Sequence, residues 1–309
     1  MTRKKILITG AGGVGTLSIY NELKNKYDFY FSDNNLENIH PKIPRKKCFH
    51  VPLAIDKKAF EKKIFIIIKK YKIDLIIPTV DEELIFFSQK FTTNSLVPQY
   101  EFVKIFNNKL LTFKSLLKNK ILQPALVNKK SIKNNKIYPL IAKPIFGRGS
   151  SGIIKINNYN EYFYLKKIKY FDDKNYITQK YVNGIEYSVQ MIANKNGNLI
   201  SIIPVKIIEK KGITIQAYVS NNNKIIKLCK KFHNVYRPNN IYNIQLIMNK
   251  NGVYIIEINP RISTTHILTL KNGINPLKIF FSKHDLNYEN KNLKKLFLKR
   301  YQETYIINK

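Results

Sequence analysis

Residues 4–9, K-K-I-L-I-T, form an apolar run that ends directly in G-A-G-G-V-G at 10–15, and T-L-S-I-Y-N-E-L-K follows with helical spacing. A strand that passes through a glycine turn into a helix returns to its sheet on the far side of that helix, so the first part of the chain is committed to parallel pairing. A second strand, Tyr27 to Phe31, ends at Asp33. A helix over 57–71, the strand I-D-L-I-I-P at 73–78, and T-V-D-E-E-L at 79–84 opening another helix continue the alternation. Asp33 lies about 20 residues beyond the glycines, where a ribose-binding acid sits in a dinucleotide fold. Taken alone, the segment reads as the start of a hydride-transfer enzyme.

After Asn107 the pattern changes. A helix carrying Lys109 and Lys114 leads to the turn Q-P-A at 123–125, and from 126 onward the reading is of short strands: 138–143, 152–156, 176–182, 186–193, 199–207, 212–219, 241–248 and 253–258. Asn-Gly and Gly-Asn steps at 183–184, 196–198 and 251–252 read as hairpin turns. Within this region two segments stand out, P-L-I-A-K-P-I-F-G-R-G-S-S-G-I at 139–153 and I-I-E-I-N-P-R-I-S at 255–263. The first sets Lys143 at the end of an apolar strand and follows it with Gly147, Gly149 and Gly152, a loop whose backbone N–H groups suit phosphates. The second ends a strand in Glu257 and Asn259, oxygen ligands two apart on one face, a pattern that suits a hard cation such as magnesium.

The chain has 309 residues, enough for two or three packed subdomains. Its formal charge of +34 arises from 54 Lys and Arg against 20 Asp and Glu. The excess is mostly Lys, dispersed beside Asn, Ile, Tyr and Phe, the amino acids of AT-rich codons. Clusters such as Arg45-Lys46-Lys47, Lys129-Lys130 and Lys294-Lys295 are short and read as solvated faces, which disfavours nucleic acid as a partner. Two cysteines, Cys48 and Cys229, are too few for a disulfide framework or a Cys-rich zinc site. No stretch approaches about 18 uninterrupted apolar residues, and the N-terminus lacks the apolar region of a signal peptide. A cytoplasmic protein without a membrane span is expected.

These residues together resemble the ATP-grasp superfamily, in the branch similar to the large chain of carbamoyl-phosphate synthetase. The resemblance implies an α/β N-terminal pre-ATP-grasp domain, Rossmann-like, over 1–106 and an α+β ATP-grasp fold over 107–284, with a hinge between two lobes near 179–186. Residues 285–309 are then a C-terminal helix or tail. In such a family the turn G-A-G-G-V-G faces the second substrate or is structural, so no NAD is required. Lys109 resembles the first phosphate lysine and Lys143 the second. Gly147, Arg148, Gly149, Ser150, Ser151 and Gly152 resemble the lid over the triphosphate. The stretch 177–189 resembles the hinge, with the backbone of Tyr181 and Val182 pairing with adenine, Gln179 accepting from its amine, and Glu186 taking the ribose hydroxyls. Gln245, Glu257 and Asn259 match the family's magnesium set, and Arg261 the residue that stabilises the transferred phosphate.

The function implied is an ATP- and Mg2+-dependent ligase, with Mn2+ as a substitute metal, joining a carboxylate to an amine through an acyl phosphate. Lys143 and Arg261 would carry the catalysis. The carbamoyl-phosphate enzymes carry a further Arg in S-R-S, where this chain has Ser263-Thr264-Thr265, a departure that argues against a carboxyphosphate intermediate. Gly12, Gly13, Asp81, Glu82 and His266 are the candidates for substrate contact. The acids Asp81 to Glu83 equally suit the start of a helix, whose dipole favours them. A small-molecule kinase on the same fold is the alternative, and a non-catalytic polyanion-binding protein the more distant one. The partners implied are small molecules, with a homodimer and a separate ammonia-supplying amidotransferase left open.

Overall fold

A computed structural model describes residues 2–147, 149–172, 174–282, 293–301 and 303–305. The first unit is a parallel sheet of β1 (Lys5–Thr9), β2 (Asp28–Asp33), β3 (Cys48–His50) and β4 (Leu75–Pro78), ordered β3-β2-β1-β4. β1 pairs with β2 and β4, and β2 with β3, all in parallel. Helix α1 (Thr16–Leu23) follows the glycine turn, and α2 (Lys57–Tyr71) runs from an Asp56 cap whose side chain accepts from Ala59 N–H. Phe60, Ile64 and Ile67 fall on one face of α2 and are buried against Leu7, Ile76 and Phe87. Complete burial of each such side chain is worth about 1.5–3 kcal/mol. α3 (Leu84–Lys90), α4 (Tyr100–Phe106) and α5 (Lys109–Lys118) complete the crossing to the second half.

The α+β half contains two antiparallel sheets. β5 (Leu140–Pro144), β6 (Ile154–Ile156) and β7 (Tyr176–Lys180), with α6 (Tyr159–Lys167), form a small lobe ordered β6-β5-β7. β8 (Ile185–Ala193), β9 (Leu199–Lys211) and β10 (Ile213–Val219) are followed by α7 (Asn223–Tyr236). β11 (Ile241–Asn249), β12 (Gly252–Asn259), α8 (Ile267–Lys271), α9 (Pro276–Phe281) and β13 (Phe297–Lys299) then complete the described elements. The larger sheet is ordered β12-β11-β8-β9-β10-β13. One apolar core joins the two halves, with Ile6, Phe31 and Ile19 of the first packed in the same cluster as Val205, Ala217 and Leu277 of the second.

Two expectations are corrected. The Asn183-Gly184 step does not close a hairpin. β7 pairs with β5 in the small lobe, whereas β8 pairs with β9 and β11, so the step carries the chain from one sheet to the other. Gly184 is needed there for space, since a Cβ would lie 2.5 Å from the Met248 carbonyl oxygen. The stretch 285–309 is not only helix or tail: Phe297–Lys299 pairs antiparallel with β10, because the β10 edge offers unpaired backbone groups that a strand satisfies. The rest of that expectation falls partly on residues 285–292, 302 and 306–309, which lie outside the described residues. Among the described residues, no helix is long and apolar enough to cross a membrane.

Candidate active site

The strand pair β11–β12 carries the acidic end of the site. Gln245 stands opposite Glu257 and Asn243 opposite Asn259, which places Gln245, Glu257 and Asn259 on one face. Immediately beyond the Gln245–Glu257 pair the register slips, for Leu246 pairs with Ile255, and Ile256 is left as the extra residue of a β-bulge. The Ile256 carbonyl accepts from Lys143 Nζ at 3.4 Å. A bulge here gives the buried lysine an acceptor that an unbroken ladder would have used.

Lys143 comes from β5 in the other sheet and is 6% exposed. Burial pulls its pKa down to about 8, with nearby Glu257 acting in the opposite sense. Lys109, first residue of α5, is set by the Asn108 cap, whose side chain accepts from Leu110 and Leu111 N–H. Its Nζ lies 3.3 Å from Glu257 Oε1 and donates to the Gly147 carbonyl at 2.8 Å. The loop that begins at Gly147 continues through Gly149 and Gly152, all with positive φ, and a Cβ on Gly147 or Gly149 would meet open space. Arg148 lies outside the described residues. The β9–β10 turn at Gly212 comes close to this loop, near the Gly149 carbonyl.

A cavity of about 380 Å³ opens between the small lobe and the six-stranded sheet. Lys109, Lys143, Ser150, Tyr181, Val182, Glu186, Gln245 and Glu257 all line it, as do Lys210 and Ile256, which the sequence pattern did not single out. Lys210 Nζ lies 2.5 Å from Glu186 Oε1. The Tyr181 N–H donates to the Pro139 carbonyl at 3.1 Å, which takes that donor out of the cavity edge that Tyr181 and Val182 share. Gln179 is buried with its Nε2 held by the Pro124 carbonyl at 2.9 Å, which fixes the amide and turns the oxygen the other way. A second opening, lined by Lys109, Gly147, Gln179, Glu257, Asn259 and Asp81, lies against α5.

Arg261 and Asp81 form an ion pair from opposite halves of the molecule, Arg261 Nε donating to Asp81 Oδ1. Burial opposes the charge on Arg261, but the Asp81 carboxylate, with Glu257 and Glu82 acting in the same sense, holds the pKa above its ordinary value. Asp81, expected to meet an amine, is therefore engaged by Arg261. Asp33 is also engaged: its carboxylate accepts from Gly12 N–H at 2.8 Å and Asn35 N–H at 3.0 Å, which makes it a brace for the glycine turn rather than a ribose ligand. A cavity of about 460 Å³ lies above this turn, lined by Gly12, Gly13, Asp33, Leu53, Glu82 and Glu83 among others.

His266 lines none of these cavities. It is 1% exposed, neither ring nitrogen has a partner among the described residues, and burial pulls its pKa to about 3. Its folded pKa lies below the unfolded value of 6.5, so the stability of the neutral ring is complete above that pH and is lost as pH falls below it. At about 1.4 kcal/mol per pH unit, urea denaturation at pH 5 is expected to give a stability about 2 kcal/mol lower than at pH 7, and His266→Leu should flatten that slope. An unchanged slope in the variant would remove His266 as its source.

Comparison with known proteins agrees with this architecture. The model of the ATP-grasp domain matches residues 106–265, more than half of the chain. Tyramine–L-glutamate ligase of Methanocaldococcus jannaschii is 27% identical over 222 residues, covering 66% of this chain and 61% of that protein. D-Alanine–D-alanine ligase of Petrotoga mobilis is 32% identical over 167 residues, 48% of this chain and 55% of that protein. The match thus spans less than two thirds of the length of either relative. Among solved structures, the biotin carboxylase domain of Hydrogenobacter thermophilus 2-oxoglutarate carboxylase, in complex with MgADP, superposes with a TM-score of 0.73 at 16% identity, over 96% of this chain and 74% of that one. A Rossmann-like unit, a small three-stranded lobe and a six-stranded sheet enclosing a lysine- and carboxylate-lined cavity, with the family model across its centre, establish that the chain belongs to the ATP-grasp family.

Proposed function

We propose that the chain is an ATP-dependent ligase that phosphorylates a carboxylate and passes the acyl group to an amine, releasing ADP and phosphate. The observation that carries this reading is the convergence of Lys109, Lys143 and Glu257, from three separate elements, on one cavity between two sheets. The ligase relatives support it. In this reading Val182 meets the adenine edge, Gln179 Oε1 accepts from the adenine amine, and Glu186 binds the ribose hydroxyls. Lys109, Lys143 and the Gly147 to Gly152 loop hold the phosphates.

The oxygens of Gln245, Glu257 and Asn259 fit a hard divalent cation, magnesium with manganese as a substitute, because all three face one side of one strand pair. Such a cation neutralises phosphate charge as the γ-phosphoryl transfers. A carboxylate is a poor electrophile until one oxygen becomes a phosphate leaving group, so the site needs positive charge and exclusion of water more than a base. Lys109 and Lys143 supply the charge, Arg261 sits beside the transferred group, and the glycine loop closes over them. The cavity above the glycine turn, with Glu82 exposed at its wall, is where the amine would enter.

The test is magnesium-dependent ADP release against a panel of carboxylates with and without amines. ADP that requires both substrates establishes the ligase. ADP with one substrate and a stable phosphorylated product makes the chain a kinase, and no nucleotide binding removes both readings.

A further inference from the structure

The cavity above the glycine turn is set apart by its charge. The chain has 54 Lys and Arg against 20 Asp and Glu, and basic side chains line the other openings: Lys109, Lys143 and Lys210 between the lobes, Lys295 beside β13, and Lys250 at the β11–β12 turn. Around this cavity of about 460 Å³ stand Asp33, Glu82 and Glu83, and among the described residues no lysine, arginine or histidine lines it. The Glu83 carboxylate accepts from the Thr9 hydroxyl, and Asp33 from Gly12 and Asn35 N–H, which fixes both acids in the wall. The glycine turn offers little to an anion there, since Gly12 N–H is taken by Asp33 and Gly13 N–H by the Gly10 carbonyl at 3.1 Å. A wall of this kind suits a cationic head and turns away a carboxylate.

Most of the remaining wall is apolar. Val51, Pro52, Leu53, Ala54 and Ile55 line it in sequence, as does Val80 from the segment after β4. Leu53 is 57% and Ile55 88% exposed, and no other large hydrophobic side chain among the described residues is as exposed as Ile55. Single exposed apolar residues need no explanation, but an unbroken apolar run along a cavity does. The run is pinned at both ends: Val51 N–H donates to the Asp33 carbonyl and Asp56 N–H to the Leu53 carbonyl, both at 3.0 Å, and Asp56 caps α2. A strip fixed in this way leaves Leu53 and Ile55 in water until an apolar ligand covers them. The cavity also adjoins the nucleotide side of the molecule. Asp81, Glu82 and Glu83 form one turn, in which Asp81 borders the opening that holds Lys109 and Glu257, while Glu82 and Glu83 border this one. Glu82 acts with Asp81 in raising the pKa of Arg261, so its carboxylate lies within electrostatic reach of that arginine.

We propose that the nucleophile is a primary amine on an apolar body with no carboxylate of its own, its nitrogen held toward Glu82 and Glu83 and its body lying along Leu53 and Ile55. The proposal rests on the ligase reading and names the class of amine. The amine enters as an ammonium and gives one proton to solvent. Its lone pair then forms the C–N bond as the C–O bond to phosphate breaks; the phosphate leaves with that electron pair and takes up the surplus proton of the nitrogen. With each carboxylate of the ADP-release panel, kcat/KM is measured for ammonia, methylamine, butylamine, 2-phenylethylamine and phenylalanine at equal free-base concentration. The proteins are wild type, Leu53→Asn and Ile55→Asn, with melting temperatures alongside. The expected result is a rise of about 2- to 4-fold per methylene from methylamine to butylamine, and a preference of at least about 10-fold for 2-phenylethylamine over phenylalanine. In each variant the ratio of kcat/KM for 2-phenylethylamine to that for methylamine should fall about 10-fold, with the melting temperature unchanged because both side chains are exposed. ADP release that is as efficient with ammonia or phenylalanine as with 2-phenylethylamine keeps the ligase and overturns this proposal, as does a ratio that both variants leave unchanged. A wild type that binds nucleotide but releases no ADP with any pair removes the ligase reading, and this proposal with it.

Discussion

A Lys143→Met variant is expected to lose at least about 100-fold in nucleotide affinity and yet, without nucleotide, to melt at a higher temperature than wild type. Lys143 is 6% exposed, and among the described residues its side chain has one hydrogen bond, a 3.4 Å contact to a backbone carbonyl. Burial depresses its pKa from 10.5 to about 8. Between those values the unfolded chain binds more protons than the folded one, so stability rises as pH rises through 8 toward 10.5. Below pH 8 the full charge is retained in the fold at a cost of about 3 kcal/mol. Methionine has a similar length and no charge, which removes the cost and with it the attraction for phosphate. Thermal melts with and without ADP, read beside calorimetric binding, test both halves. In wild type, nucleotide affinity should also decline above pH 8 as the ammonium deprotonates, and the variant should show no such decline. A melting temperature lower than wild type in the empty variant would refute the argument.

The second large effect is expected at Asp81. Arg261 and Asp81 are 14% and 11% exposed, respectively, and they tie the loop after β12 to the segment after β4. Removing one member of a buried pair leaves the other charge uncompensated, so Asp81→Ala should reduce stability by about 3–5 kcal/mol in urea denaturation. Replacing both, as Asp81→Leu with Arg261→Met, should recover most of that loss, because the desolvation cost disappears with the charges. Turnover should not recover in the double variant if Arg261 acts beside the transferred phosphate as proposed. Equal stability of the single and double variants would show that the pair is not coupled.

The parts of this fold that are local in sequence were legible. The helix over 57–71 was marked by an acidic cap and three- and four-residue apolar spacing, and the β11–β12 hairpin by its Asn-Gly turn. The parts that depend on distant pairing were not. An Asn-Gly step marks a turn but not which strands flank it, so 183–184 read as a hairpin and is a crossover between sheets. β13 was hidden because Phe297, Leu298 and Lys299 are ordinary residues in a Lys- and Asn-rich stretch, and only the open edge of β10 makes them a strand. Helix α7 shows the opposite case. Asn222 caps it and Ile225, Cys229, Phe232 and His233 form its buried face, a signal present in the sequence but passed over among turn-like asparagines. Of the residues lining the cavity, Lys143 and Glu257 stood out through motif and spacing, and Lys109 through the family resemblance. Lys210 did not, because a lysine among 54 basic residues gains meaning only from the side chains that the fold places around it. Asp81 misled for the same reason, as its partner lies 180 residues away.

The order of the strands along the chain has a consequence for synthesis on the ribosome. β5, β11 and β12 emerge before β13, so a nascent chain that has cleared the exit tunnel through Asn259 already holds Lys109, Lys143 and Glu257. At that point the edge of β10 is still bare. The lysines and the carboxylate of the cavity are therefore delivered before the strand that covers the β10 edge, and that edge stays open to any other extended segment until the last strand of the sheet arrives.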